Sequence, residues 1–182
     1  MYQSPEPSDE VLECFDEQGN VIEPHTRKEV HTEPLKYWHG VVNIWIVNPK
    51  LQLLCSKRSE TLTGNPGKWQ TYFGGHVKAG KTFKQAAALE LDEEVGLQIQ
   101  DVKLCLIDRG KHESSKHFYE SYAYLLENNT TSLKFNDGEI TEVKWMDMEE
   151  YWEEKQLHPD SWCNSCGPEN QEKIRNYIRS MI

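Results

Sequence analysis

Three glutamates, Glu90, Glu93 and Glu94, stand at i, i+3 and i+4 within a run rich in helix formers, Phe83 to Val95. With about 3.6 residues per turn, an α-helix places all three on one face. Like charges at that spacing oppose helix formation, and near a helix C-terminus the macrodipole favours cations over carboxylates. The arrangement gains nothing from helix propensity, so a cation is expected to join it. Ligands that are all oxygen suit a hard divalent ion, Mg²⁺ or Mn²⁺, better than zinc. Taken alone, the three residues also fit a solvated acidic face, the commoner arrangement. Their surroundings favour the cation. Gly74-Gly75-His76 ends a short strand, and the turn Lys78-Ala79-Gly80-Lys81 leads into the helix, so backbone carbonyls and carboxylates converge on one place.

The elements that must position these groups are readable from pattern. Thr82 and Gln85 have capping-box spacing at the helix start, and Gly96 stands where a C′ glycine closes it. Val41 to Val47 is a β-branched and aromatic run expected as a buried strand, and Asn48-Pro49-Lys50 turns it back into Leu51 to Cys55. Trp69 to Val77 is expected as a short strand, and Val11 to Val30 as two short strands around Gln18-Gly19-Asn20. Further strands are expected over Val102–Ile107, Phe118–Leu126 and Ile140–Met146, and helices over Met148–Gln156 and Glu169–Ile182. Ser59–Lys68 and Lys111–His117 read as loops. Mixed strands around one central helix, with helices at the end, predict an α/β sandwich.

The glycine turn and glutamate helix resemble the box of the Nudix hydrolase family: G, five residues, E, seven residues, then R-E-U-x-E-E-x-G-U, with U a bulky aliphatic. Gly75, Glu90, Leu91, Glu93, Glu94, Gly96 and Leu97 fall on register, seven of nine fixed positions. Lys81 stands where the family has Glu and Leu89 where it has Arg, a pair that braces the loop and helix and orients the neighbouring Glu. The resemblance implies a Nudix-like α/β/α sandwich with a mixed sheet around the glutamate helix. It divides the chain into an N-terminal arm with short strands (1–36), a hydrolase domain (37–156) and a C-terminal helical extension packed on the same domain (157–182). It implies Glu90, Glu94, the Gly75 carbonyl and Glu93 as metal ligands, with Glu93 and Glu90 catalytic and Mg²⁺ or Mn²⁺ as cofactor. The implied reaction is cleavage of a diphosphate linkage in a nucleoside diphosphate derivative or related small molecule. Arg58, beside Lys57 after the Leu51–Cys55 strand, is the candidate phosphate clamp.

His31 to Val47, Lys57-Arg58-Ser59, Pro66 to Trp69 and Gly74 to Val77 together look like the isopentenyl-diphosphate-isomerase-like branch. That likeness implies an additional metal held by His31, His39 and His76 with Glu120. Isomerase chemistry also needs a cysteine one residue before the box glycine, and Gly74 stands there. The isomerase is therefore the third reading. The second is a Nudix-fold module that binds a diphosphate compound and turns it over weakly or not at all, motivated by Lys81 and Leu89.

Composition limits the partners. Twenty Lys and Arg against thirty Asp and Glu leave a formal charge of −10, which repels phosphate polymers. No apolar run approaches the ~20 residues of a membrane span, and Met1 to Glu10 lacks the features of a signal peptide. Five scattered cysteines suit free thiols in a reducing compartment. Cys163-x2-Cys166 without a second pair is too little for zinc. A cytoplasmic protein acting on a small-molecule diphosphate is expected, with a homodimer as a family-level expectation.

Overall fold

A ten-residue strand, β4 (Trp38–Val47), organises the molecule. The computed structural model describes residues 9–62, 64–99, 103–127, 133–135, 138–163 and 168–181. Before β4 come β1 (Val11–Leu12), β2 (Cys14–Phe15), β3 (His25–Thr26) and the one-turn helix α1 (Arg27–Val30). After it come β5 (Gln52–Arg58), β6 (Trp69–Gln70), α2 (Phe83–Val95), β7 (Cys105–His112), β8 (His117–Leu125), β9 (Ile140–Asp147), α3 (Met148–Leu157) and α4 (Pro168–Met181). The main sheet runs β6-β5-β4-β8-β7, with β9 on β5 and β2 on β4. β4 and β8 are parallel over nine register pairs, from His39↔His117 to Val47↔Leu125. The other main-sheet pairings are antiparallel, so the sheet is mixed.

The alternation of β4 explains the layers. Val42, Ile44 and Ile46 face one core, which α2 covers with Ala86, Ala87, Leu91 and Val95. Trp45 and Val47 face the second core, which α3 and α4 cover with Met148, Tyr151, Ile174 and Ile178. A strand buried on both faces reads as a nearly continuous apolar run, as this one does. The α/β sandwich expected from the sequence is observed.

Along its other edge, β4 is shared by three segments in turn. β2 meets Trp38 and His39, the 73–76 segment bridges Val41 and Ile44, and β5 joins at Val47. The N-terminal strands are tied to the following turn, because Glu13 N–H donates to the Val77 carbonyl and Ala79 N–H to that of Val11. These contacts carry α1 and His31 over the glycine turn.

α2 has its expected bounds. The Thr82 side chain accepts from Gln85 N–H at 3.2 Å, and Gln85 accepts from Thr82 N–H at 3.1 Å. Gly96 takes the left-handed conformation, φ 70°, that ends the helix. Two expectations are corrected. The stretch read as strand up to Val30 ends in α1, where Thr26 and Glu29 form a capping box. The Lys111–His117 loop is a tight hairpin, since β7 runs to His112 and β8 begins at His117. Cys166 and Val102 lie outside the described residues.

Candidate metal centre and histidine cluster

Two consecutive glycines let α2 and the strand edge approach. A Cβ on Gly74, at φ 144°, would lie 2.0 Å from the Val42 carbonyl oxygen, so only glycine fits against β4. A Cβ on Gly75 would lie 2.7 Å from Glu90 Oε1, so the Glu90 carboxylate rests on bare backbone. Glu94 Oε2 accepts from Gly74 N–H at 3.1 Å. The Gly75 carbonyl accepts from Val42 N–H at 2.9 Å and keeps a second lone pair. Glu90 and Glu94 therefore lie against the Gly74-Gly75 backbone and offer oxygen donors beside the Gly75 carbonyl, while Glu93 is held by Lys78. Among the described residues only His31, His39 and His76 bring three candidate ligand atoms within 4.8 Å of one another.

The electrostatics point the same way. Glu90 is buried, 8% exposed. Burial, reinforced by the Glu93 charge, pushes its carboxyl up to about 7, with Lys78 and Arg27 pulling the other way. The cation at hand is Lys78, whose Nζ lies 2.9 and 3.0 Å from the two Glu93 oxygens and 3.7 Å from Glu10. Burial works against the Lys78 ammonium, yet its bond to Glu93 holds its pKa above the ordinary lysine value. Arg27 reaches Glu10 at 3.4 Å, adding a second positive group at the rim. Sequence reading missed Lys78 and Glu10. Lys78 follows Gly75 by three residues, and its basic type within an acidic locus was the available signal.

His31, His39 and His76 meet on the other side of the glycine strand. One ligand nitrogen from each lies within 4.8 Å of the others. His31 Nε2 is 3.0 Å from His76 Nε2, and the His39 and His76 rings are 5.2 Å apart. His39 Nδ1 and His76 Nδ1 are buried with no hydrogen-bond partner among the described residues. Burial, together with mutual repulsion, holds His39 down to about 3 and His76 well below the ordinary value. Burial also lowers His31. The three are neutral imidazoles at neutral pH, the form that ligates metals. His117, missed in the sequence, stands 5.7 Å from His39 because register pairs them across β4 and β8.

Glu120 does not join this group, which corrects the expectation. It pairs in register with Val42, whose side chain faces α2, and it accepts from the Tyr122 hydroxyl on that face. His39 and His117 project from the opposite face, because side chains alternate along a strand. Arg58 directs Nε to the Gly64 carbonyl at 2.9 Å and one terminal nitrogen to Gln70 Oε1 at 3.1 Å, bracing the loop that follows β5. Lys81 and Leu89 line one shallow cleft on the flank of α2 with Gln85 and Asp92.

The NUDIX domain model matches residues 37–163. The chain belongs to the Nudix family. A Nudix hydrolase of Clostridium acetobutylicum is 32% identical over 58% of this chain and 51% of its own length. Nudix hydrolase 3 of Arabidopsis thaliana is 29% identical over 78% of this chain and 19% of its own. The chain thus spans about half or less of these two curated relatives. An isopentenyl-diphosphate Δ-isomerase of Klebsiella pneumoniae is 24% identical over 76% of this chain and 75% of its own. Among solved structures, a Deinococcus radiodurans protein has a TM-score of 0.65 and 21% identity, over 92% of this chain and 99% of that one. A bifunctional NMN adenylyltransferase/ADP ribose pyrophosphatase of Francisella tularensis, complexed with AMP and a Mn ion, has a TM-score of 0.53 and 14% identity, over 81% and 43%. These likenesses establish the Nudix fold for the chain. No helix among the described residues is long and apolar enough to cross a membrane.

Proposed function

We propose that this chain is a metal-dependent Nudix hydrolase that cleaves a diphosphate linkage in a nucleoside diphosphate derivative or related small molecule, with residues 37–156 as its hydrolase domain. The observation that carries the reading is the buried Glu90 carboxylate laid on Gly75, with Glu94 accepting from Gly74 N–H and the Glu93 charge near enough to raise the Glu90 carboxyl. Burying negative charge against negative charge is costly unless a cation completes the group. Glu90, Glu94 and the Gly75 carbonyl would hold Mg²⁺ or Mn²⁺, with Glu93 as a further ligand or as proton acceptor. A divalent ion supplies charge neutralisation on the diphosphate oxygens and acidifies water. In the hydrolysis, a water oxygen forms a new bond to phosphorus, the bridging P–O bond breaks, and Glu93 takes the water proton. The leaving phosphate departs as the second product. Lys78, on Glu93, steadies the carboxylate before the ion arrives. Arg58 is the proposed clamp on the outer phosphate.

The histidine cluster is proposed as an additional metal site. Its donors are all imidazole nitrogens, which suit a borderline ion such as Zn²⁺ or Co²⁺ more than Mg²⁺. The isomerase reading stays third, since Gly74 offers no thiol.

The test is phosphate release from nucleoside di- and triphosphates, nucleotide sugars and prenyl diphosphates, with Mg²⁺ and then Mn²⁺. Metal-dependent release, lost in chelator and reduced at least ~100-fold in Glu94→Gln and Glu93→Gln, is the expected result. Equal turnover by the three proteins refutes the site. Silence of the parent with Mg²⁺ still binding favours the non-hydrolytic binding module, for which Leu89 in place of the box Arg is the specific observation.

A further inference from the structure

Lys78 stands where a metal ion competes with it for the same carboxylate. Its Nζ donates to both Glu93 oxygens, at 2.9 and 3.0 Å. Glu93 is thus engaged by an ammonium before it serves as ligand or proton acceptor. The contact is open to water, with the Lys78 side chain 35% and that of Glu93 54% exposed. Ion pairs so exposed are weak, and a divalent ion held by several carboxylates outcompetes one ammonium. Two cations on one carboxylate also repel each other, so Lys78 has to move when the ion enters.

The place it moves to is already built. Glu10 Oε1 lies 3.7 Å from the same Nζ, and Glu10 Oε2 lies 3.4 Å from Arg27 Nη1. Glu10 therefore faces Lys78 just beyond hydrogen-bond length, and a shift of Nζ by about 1 Å closes the gap. Its side chain is 17% exposed, so its charge is screened less than that of Glu93. The frame around the lysine is fixed. Leu12 and Lys78 form an antiparallel bridge, Ala79 N–H donates to the Val11 carbonyl at 3.0 Å, and Arg27 N–H donates to the Glu10 carbonyl at 2.7 Å. Between these fixed backbones the flexible four-carbon stem of Lys78 reaches both carboxylates. Glu10 precedes residues 37–163, the span of the Nudix domain, so a residue from outside that domain completes the arrangement.

We propose that Lys78 is a built-in counter-ion exchanged for the divalent metal, pairing with Glu93 in the metal-free centre and passing to Glu10 when the ion binds. The exchange rests on the metal centre of the hydrolase reading above, and gives Lys78 and Glu10 positioning roles there. It has a thermodynamic signature. Lys78 opposes metal binding, because its pair with Glu93 breaks first, whereas Glu10 favours binding by receiving the displaced ammonium. A lysine that merely held the turn together would have the opposite sign, since its loss would loosen the ligands.

Calorimetry with Mg²⁺ alone tests this on the full chain and on Lys78→Gln, Glu10→Gln and the double variant. Mg²⁺ is the probe because the imidazoles of the histidine cluster discriminate against it. Lys78→Gln is expected to bind about tenfold more tightly, and Glu10→Gln about tenfold more weakly. In the Lys78→Gln background the Glu10 substitution should change affinity by less than about twofold, because no ammonium is left to receive. Unchanged or weaker binding by Lys78→Gln overturns the exchange. A Glu10→Gln effect of equal size in both backgrounds also overturns it, since Glu10 then acts only as a nearby charge. Either result, with the parent still releasing phosphate in Mg²⁺, leaves the hydrolase standing. If the parent binds no Mg²⁺, binding by Lys78→Gln supports the exchange with the lysine as the stronger competitor. No binding by any of the four proteins overturns the metal centre and the exchange together. The ¹⁵N signal of the Lys78 ammonium gives a reading on the parent that needs no variant to fold: Mg²⁺ should shift it, and a signal that stays in place overturns the hand-over.

Discussion

Removing a proposed metal ligand should make the metal-free protein more stable. Glu90 is buried among acids, and its carboxyl is pushed up to about 7 from an ordinary 4.5. A raised acid pKa means the folded state holds the proton more tightly than the unfolded chain. The favourable state is therefore present below about pH 4.5 and is lost as pH rises through 7. Above that range the charged carboxylate costs about 3 kcal/mol, from 2.5 pKa steps at about 1.36 kcal/mol each. Glu90→Gln removes the charge and keeps the shape. In chelator at pH 8 the variant should unfold about 3 kcal/mol harder in urea, or roughly 6–12 °C higher for a domain of this size. At pH 4.5 the two proteins should nearly coincide. Mg²⁺ or Mn²⁺ at about 1,000 times Kd should reverse the order, since it adds about 4.1 kcal/mol to the parent and little to the variant. A variant less stable than the parent in chelator at pH 8, or a gain of equal size at both pH values, refutes the reasoning.

The histidine cluster predicts the opposite pH response. Burial holds His39 down to about 3 and His117 to about 4, so their stabilising contribution is complete above about pH 6.5 and is lost as pH falls toward those values. Urea midpoints taken from pH 7 to 5 should fall more steeply for the parent than for His39→Gln, and parallel curves would exclude the cluster as the cause. Gly75→Ala places a Cβ 2.7 Å from Glu90 Oε1 and should weaken Mg²⁺ binding about 10–100-fold by calorimetry; wild-type affinity would mean that the carboxylate does not rest there with the ion bound. Co²⁺ should give a ligand-field spectrum with the parent that His31→Ala abolishes, and an unchanged spectrum would move that site elsewhere. Thr82→Ala should lower the melting temperature by roughly 2–4 °C, the effect of losing about 1 kcal/mol of helix cap, and no shift would mean that the cap bond contributes nothing.

Local sequence by itself determined the glutamate helix. Its propensity, its capping pair Thr82 and Gln85, its terminal Gly96 and the common face of Glu90, Glu93 and Glu94 all depend on residues at most four apart. The buried β4 and the two C-terminal helices were legible for the same reason, as runs of one periodicity. The Nudix box was legible because it spans a single strand, turn and helix. Tertiary structure alone decided which groups meet across longer separations. His31 and His76 are 45 residues apart and touch only because β2, the 73–76 segment and β5 share one edge of β4. Glu120 was misplaced because a strand's faces are set by its register against β4, and a shift of one residue reverses them. Lys78 was missed because its value lies in reaching Glu93, 15 residues on. That the Trp45 N–H has no hydrogen-bond partner among the described residues could not be read from the chain, since a donor lacks a partner only once its neighbours are in place. Hydrogen bonds within a turn of helix are written in spacing, whereas burial, register and charge proximity belong to the assembled fold.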